Sequence, residues 1–171
     1  LGRLVKAGKI NQIGFSEIAP TSLEIANHIY PVAAVQSEYS LSTRSPEMGL
    51  VQKTKELDST LIAFSPVGRS LLTDTPIELD ICRTLPFLKA NPRFTAENYE
   101  RNLNASASFR SLASDMGVST SGLAIAWLLA QDDHIVPIPG TRSVDHLNEL
   151  ASGATIDLSE SDLQAIDKAL P

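Results

Sequence analysis

The chain has 171 residues, of which 43% are hydrophobic and 20% are charged, so we expect a packed globular domain rather than a disordered chain. The formal net charge of −6 argues against general nucleic-acid binding. The single cysteine, Cys82, excludes an internal disulfide, and we interpret it as a packing residue. No apolar run has the length of a membrane span, and residues 1–9 lack the core of a signal peptide. We therefore expect a cytoplasmic protein without membrane contacts.

Strands and helices alternate along the sequence. The first residues resemble the end of a helix, which suggests a piece of a longer protein. Apolar runs predict strands at residues 9–15, 32–35, 60–64 and 135–138. Helices are predicted at residues 21–30 with a Thr21–Glu24 capping box, at 45–57, 95–116 and 119–131, from 141 to about 152, and from Ser159 onward. Prolines break the segment 70–91, which predicts a long loop with at most a short helical piece.

This order of elements predicts an α/β fold. Strands that read as continuous apolar runs are typical of parallel strands covered by helices. The sequence therefore predicts four parallel strands, near residues 11, 33, 61 and 136, each followed by a helix, within one domain of residues 1–171.

The segment 134–147 reads as a buried strand, a turn and the start of a helix. Thr141 and Ser143 can cap that helix, whose free N–H groups favour an anion, and Arg142 adds a fork of donors. A phosphate is the natural ligand of this arrangement. An ordinary capped helix with a surface arginine explains the same residues about as well.

Polar and aromatic residues follow the other predicted strands, and the carboxyl ends of parallel strands are where ligands bind. Ser16 and Gln36 can bind an amide, and Phe64 offers a flat ring. Turns at residues 68–69 and 140–142 could each hold phosphate. An amide, a stacking ring and phosphates together indicate a nicotinamide dinucleotide.

Five ordered motifs resemble the C-terminal half of an aldo-keto reductase. They are Gly8-Lys9-Ile10 with Ile13-Gly14-Phe15-Ser16, Val35-Gln36-Ser37-Glu38-Tyr39-Ser40, Ala63-Phe64-Ser65-Pro66-Val67-Gly68-Arg69, Ala124-Ile125-Ala126-Trp127-Leu128-Leu129, and Ile138-Pro139-Gly140-Thr141-Arg142. The resemblance implies a (β/α)8 barrel of the TIM type, of which this chain holds only the C-terminal half.

The resemblance also implies an NADP site. In it Ser16 and Gln36 hold the carboxamide, and Phe64 stacks on the nicotinamide in place of the usual tyrosine. The pyrophosphate is lined by Ser65, Pro66, Val67, Gly68 and Arg69. After the turn at Gly140, also a cofactor-binding residue, Thr141, Arg142 and His146 surround the 2′-phosphate, and Glu149 faces the adenine. Two positions depart from the family pattern, because Glu17 and Leu150 stand where asparagine is usual.

The family's catalytic Asp, Tyr, Lys and His lie in the half of the barrel that this chain lacks, so we assign no catalytic residue and no metal ligand. The tyrosines and histidines present, Tyr30, Tyr39, Tyr99, His28 and His134, read as packing or surface residues. The resemblance implies an NADP-dependent reductase of small aldehydes or ketones, inactive as this piece alone. The alternative is a non-catalytic nucleotide-binding or assembly module. Open sheet edges predict self-association.

Overall fold

A four-stranded parallel sheet, with strand order following chain order, is present in the computed structural model, which describes residues 1–170. The strands are β1 (Gly14–Ser16), β2 (Ala34–Glu38), β3 (Thr60–Phe64) and β4 (Ile135–Ile138). The α-helices are α1 (Gly2–Lys6), α2 (Pro20–Ile29), α3 (Leu50–Glu56), α4 (Leu79–Thr84), α5 (Pro86–Lys89), α6 (Ala96–Ala105), α7 (Ala107–Asp115), α8 (Thr120–Leu129), α9 (Val144–Ser152) and α10 (Glu160–Ala169). This arrangement confirms the predicted succession of parallel strands, each followed by a helix.

The two faces of the sheet differ in burial. Side chains alternate across a strand, and Val35, Leu61 and Ile135 are buried on one face. The other face is partly open, since Val136 and Ile138 are 46% and 43% exposed. The prediction that helices cover the strands therefore holds for one face, and the second face is the open inner surface expected of half a barrel.

The chain divides into two compact units, Leu1–Pro66 with Leu128–Gly140, and Val67–Trp127 with the residues from Thr141 onward. In the first unit, α2 packs on α3 and α3 packs on β3. In the second, α6 packs on α7 and α10 packs on α7, around a core that includes the fully buried side chains of Phe109, Leu123 and Ile166. Burial of each such side chain contributes about 1.5–3 kcal/mol. The prediction of one domain over residues 1–171 stays a prediction.

A polar cluster in the first unit joins α3 to the residues before β4. The His134 ring lies between two partners, with Nδ1 3.0 Å from Asp132 Oδ1 and Nε2 2.9 Å from Thr54 Oγ1. Lys55 Nζ donates to the second oxygen of Asp132 at 2.6 Å. The hydrogen bonds from Lys55 and His134 lower the pKa of Asp132 to about 2. The cluster gives His134 the packing role that the sequence predicts.

The segment 70–91 is more helical than its prolines indicate. It contains α4 and α5, whose Cys82 and Leu88 are buried in one cluster with Leu71, Phe94 and Tyr99. Pro86 stands at the first position of α5, where a missing N–H has no cost. The prediction of a long loop was therefore wrong, and the packing role of Cys82 is confirmed. Burial raises the pKa of its thiol.

Three helix predictions are wrong in detail. Helix α2 begins at Pro20, so Ala19 is its N-cap and the Thr21–Glu24 capping box does not form. The helix predicted at 45–57 is divided at Gly49 (φ +132°) into a 3-10 segment, Ser45–Met48, and α3. The helix predicted at 95–116 is broken at Ser106, whose hydroxyl donates to backbone oxygens of the preceding turn, a bond that bends helices.

Strand ends also shift. Strand β1 is confined to Gly14–Ser16 although the apolar pattern begins at residue 9, and β2 begins two residues later than predicted. The predicted caps of α8 and α10 are present, because Ser119 accepts from the Gly122 N–H and Ser159 forms a capping box with Asp162. These differences move element boundaries and leave the topology unchanged.

Candidate cofactor site

Ser16, Gln36 and Phe64 share one face of the sheet near the carboxyl ends of β1, β2 and β3. Ser16 and Gln36 are register partners on neighbouring strands. Gln36 pairs in turn with Ile62, and Phe64 lies two residues further on, so the strand alternation places all three on the same face. Ser16 is exposed, and Gln36 and Phe64 are half-buried. The structure thus brings together the amide-binding residues and the ring that the sequence predicts.

Glu17, one of the two departures from the family pattern, connects the ends of β1 and β2. Its Oε1 accepts from the Ser37 hydroxyl at 3.0 Å and from the Glu38 N–H at 2.9 Å, while its own N–H donates to the Gln36 carbonyl. Its φ of +52° is a left-handed conformation that costs a non-glycine residue about 1–2 kcal/mol. The carboxylate therefore serves as an acceptor within the protein, and it holds Ser16 and Gln36 in register.

The residues predicted to line a pyrophosphate follow β3 in a sharply turned segment. In the first unit Ser65 has φ +51° and Pro66 is buried. In the second unit Gly68 and Arg69 are left-handed, with φ of +58° and +55°. Val67 begins this turn, and its carbonyl accepts from the N–H groups of residues 70 and 72. Consecutive turned residues of this kind can present backbone N–H groups to an anion.

The predicted 2′-phosphate residues lie at the start of α9. Ser143 is the N-cap and its hydroxyl accepts from the His146 N–H at 3.4 Å, while Thr141 Oγ1 accepts from the Ser143 N–H at 3.2 Å. Gly140, Thr141, Arg142 and His146 are all exposed. Because α9 begins at Val144, Arg142 precedes the helix. Arg142 and His146 therefore do not lie on one helix, and the predicted direct capping of α9 by Thr141 is wrong.

Glu149 and Leu150 lie near the end of α9 and differ in their surroundings. Glu149 is half-buried, and its Oε2 accepts from the Ser121 hydroxyl of α8 at 3.4 Å. Leu150 is 6% exposed and belongs to the core of the second unit. The second departure from the family pattern is thus a packing residue, and Glu149 retains a carboxylate oxygen on a partly exposed side chain.

The tyrosines serve structural roles in the described chain. Tyr39 is fully buried and donates to Glu47, and Tyr99 is buried and donates to the Ile77 carbonyl. Burial raises the pKa of Tyr99. The ring of Tyr30 lies against Gly2. Their packing interpretation is therefore confirmed.

The sequence did not predict one polar contact near the 68–70 turn. Asp74, on the segment after the 68–70 turn, accepts three hydrogen bonds from the backbone and hydroxyl of Thr120 at the start of α8. The two residues are 46 positions apart, and no local pattern connects them.

A separate cleft of about 420 Å³, lined by Pro76, Glu78, Tyr99, Leu103, Asn104, Ala107 and Arg110, contains none of the predicted cofactor residues.

Residues 1–170 contain no group of three or more His, Cys, Asp or Glu side chains that could hold a metal ion. Over the same residues, no single helix is long and apolar enough to cross a membrane. The segments Ala96–Asp115, which holds α6 and α7, and Thr120–Leu129, which is α8, meet the length and composition test only together, and they are bent by 92°.

Comparison with known proteins identifies the family. The family model described as Aldo/keto reductase family matches residues 1–171, so the chain belongs to the aldo-keto reductase family. It is 37% identical to Probable aldo-keto reductase 1 of Glycine max, over 100% of this chain and 49% of that protein. It is 36% identical to Aldo-keto reductase yakc (NADP(+)) of Schizosaccharomyces pombe, over 99% of this chain and 51% of that protein.

A solved structure gives the same result for the fold. The glycerol dehydrogenase AKR11B4 from Gluconobacter oxydans superposes with a TM-score of 0.81 at 25% identity, over 98% of this chain and 51% of that chain. The chain spans about half the length of the curated relatives it matches. The predicted fold class, four strands and helices of an aldo-keto reductase α/β barrel, is confirmed. The relatives are oxidoreductases by name.

Proposed function

We propose that this chain supplies the cofactor-binding part of an NADP-dependent reductase that acts on small aldehydes or ketones. Family membership supports reductase chemistry, and the fission-yeast relative is named for NADP(+). NADPH, when bound, supplies the hydride that reduces a carbonyl carbon. The residues of this chain hold and orient the cofactor. We assign the proton donor to no residue of this chain.

The exposed pair Thr141-Arg142, directly before the capped start of α9, is the observation that carries the proposal. A 2′-phosphate distinguishes NADP from NAD, and its negative charge favours a guanidinium, a hydroxyl and the positive end of a helix. No acidic residue stands between Gly140 and Val144 to favour a bare ribose diol. The donor set therefore suits a phosphate.

The sheet residues suit the other end of the cofactor. Ser16 and Gln36, level on neighbouring strands, offer a hydroxyl and an amide to a carboxamide. Phe64 on the same face offers a ring of the kind that stacks on a flat heterocycle. We therefore propose that residues of β1, β2 and β3 hold the nicotinamide.

The test is the cofactor preference of Arg142→Ala in the full-length protein, measured by titrating NADPH and NADH. We expect NADPH affinity to fall by about 1.5–3 kcal/mol, the range for hydrogen bonds to charged groups, with NADH affinity nearly unchanged. Arg101→Ala is the matched control, because Arg101 is an exposed arginine on α6 that faces Glu97 at 3.9 Å. Equal losses for both cofactors, or a similar loss of NADPH affinity in the control, would refute the assignment.

A further inference from the structure

The turn that follows β3 is held in a conformation that its residues disfavour. Gly68, Arg69 and Ser70 are consecutive and all left-handed, with φ of +58°, +55° and +82°. Two of the three are not glycine, and such residues persist in this region only when surrounding contacts fix them. The contacts that fix this turn therefore also fix the positions of its backbone N–H groups.

Two sets of hydrogen bonds hold the residues directly after the turn. The Ser70 hydroxyl accepts from the Ile77 N–H at 2.7 Å, and the Ser70 carbonyl accepts from the Thr73 hydroxyl at 2.8 Å. These bonds close residues 70–77 into a loop. They do not by themselves attach that loop to the rest of the second unit.

Asp74 supplies the attachment. Its Oδ1 accepts from the Thr120 hydroxyl at 2.6 Å, and both carboxylate oxygens lie 3.1–3.2 Å from the Thr120 N–H. Thr120 is fully buried at the first position of α8. A carboxylate at a helix N-terminus is stabilised by the N–H groups and the helix dipole, so the contact favours this position of the loop.

Helix α8 is a fixed reference for the loop. Every residue from Thr120 to Leu128 is buried, and the α8 backbone at Gly122 lies close to Ser152 and Glu149 of α9. Asp74 thus joins the 68–70 turn to the same helix that packs against α9, within one compact unit.

We propose that Asp74 is a positioning residue for cofactor binding, which holds the 68–70 turn in the conformation that receives the pyrophosphate. The inference rests on the proposed function. Asp74 acts through Thr120 and α8 and need not touch the cofactor. A carboxylate that faced the pyrophosphate would repel it, whereas the Asp74 carboxylate faces the N–H and hydroxyl of Thr120 and can order the turn through that contact.

The test compares three ligands on Asp74→Ala in the full-length protein, a variant that removes both acceptor oxygens of the Thr120 contact. NADPH and NADH both carry the pyrophosphate, and 2′-AMP carries the adenosine 2′-phosphate without it. We expect NADPH and NADH affinity to fall by the same factor, roughly threefold to tenfold, as for a lost helix cap. We expect 2′-AMP affinity to be unchanged. Asp80→Ala is the control, because Asp80 is an exposed acid of the same unit, on α4.

Other outcomes separate the alternatives. A loss for all three ligands would show a general structural role, and tighter NADPH binding would show direct repulsion, so either would overturn the proposal. Unchanged binding of all three would also overturn it. Thr120→Ser retains the hydroxyl and the N–H and is expected to bind as wild type, and weakened binding in that variant would contradict the role of the contact. Failure of the wild type to bind any of the three would instead refute the proposed function.

Discussion

Replacement of Gly153 by alanine tests the packing that attaches α9 to α8. A Cβ at this position would lie 2.5 Å from the Gly122 carbonyl oxygen and 2.7 Å from Ile125 Cβ. Neither neighbour is the end of a flexible side chain, so the helices must separate. The backbone at Gly153 has φ −57° and ψ −27°, a helical conformation that alanine adopts freely, and the cost is therefore steric.

Overpacking of a close contact costs about 1–3 kcal/mol, and we expect the free energy of unfolding to fall by that amount. Urea denaturation measures it, with fluorescence of Trp127 as the reporter, because this single tryptophan is buried on α8 itself. Gly140→Ala is the matched control: no atom lies within 4 Å of its Cβ position, so we expect a change between zero and a gain of about 1 kcal/mol. Unchanged stability of Gly153→Ala would refute the close contact between α8 and α9.

Three further predictions concern the first unit and the sheet edges. Thr54→Val removes the buried hydroxyl that faces His134 Nε2, and we expect denaturant unfolding to show a loss of about 1–3 kcal/mol in the free energy of unfolding. Thr155→Val is the control, because Thr155 is exposed and its loss should be near zero. The pKa of Asp132 is about 2 in the folded chain, below its unfolded value, so its stabilising contribution is present above about pH 4 and lost as pH falls toward 2. Asp132→Asn should flatten stability over that range, and an unchanged acid profile would contradict the Lys55 and His134 contacts. Because β1 and β4 are the edge strands of the described sheet, the purified 171-residue chain should self-associate in sedimentation, and a clean monomer would contradict this expectation.

The strand limits were predictable where serine, proline or glycine residues interrupt the apolar run. Strand β3 has the predicted limits, between Ser59 and Ser65, and β4 ends where Pro139-Gly140 breaks the apolar run. Strand β1 was overextended, because Ile10 and Ile13 continue the apolar pattern without joining the ladder. Apolar spacing reports burial, and pairing with β2 decides where the strand begins.

The breaks in helices were not predictable, because they depend on single residues within helical patterns. Ser106 is an ordinary polar residue in the sequence, and only its buried position turns its hydroxyl toward the preceding carbonyls. The same limit applies to the candidate site. Ser16 and Gln36 could be paired from strand order alone, whereas the Asp74–Thr120 contact forms between distant segments and depends on how the loop folds onto α8.

The structure of the full-length protein with NADP bound tests the central claim most directly, since it shows where the 2′-phosphate lies. We predict that this phosphate lies within hydrogen-bonding distance of the Arg142 guanidinium and the Thr141 hydroxyl, with the carboxamide at Ser16 and Gln36. A 2′-phosphate bound elsewhere, such as in the cleft lined by Tyr99 and Arg110, would contradict it.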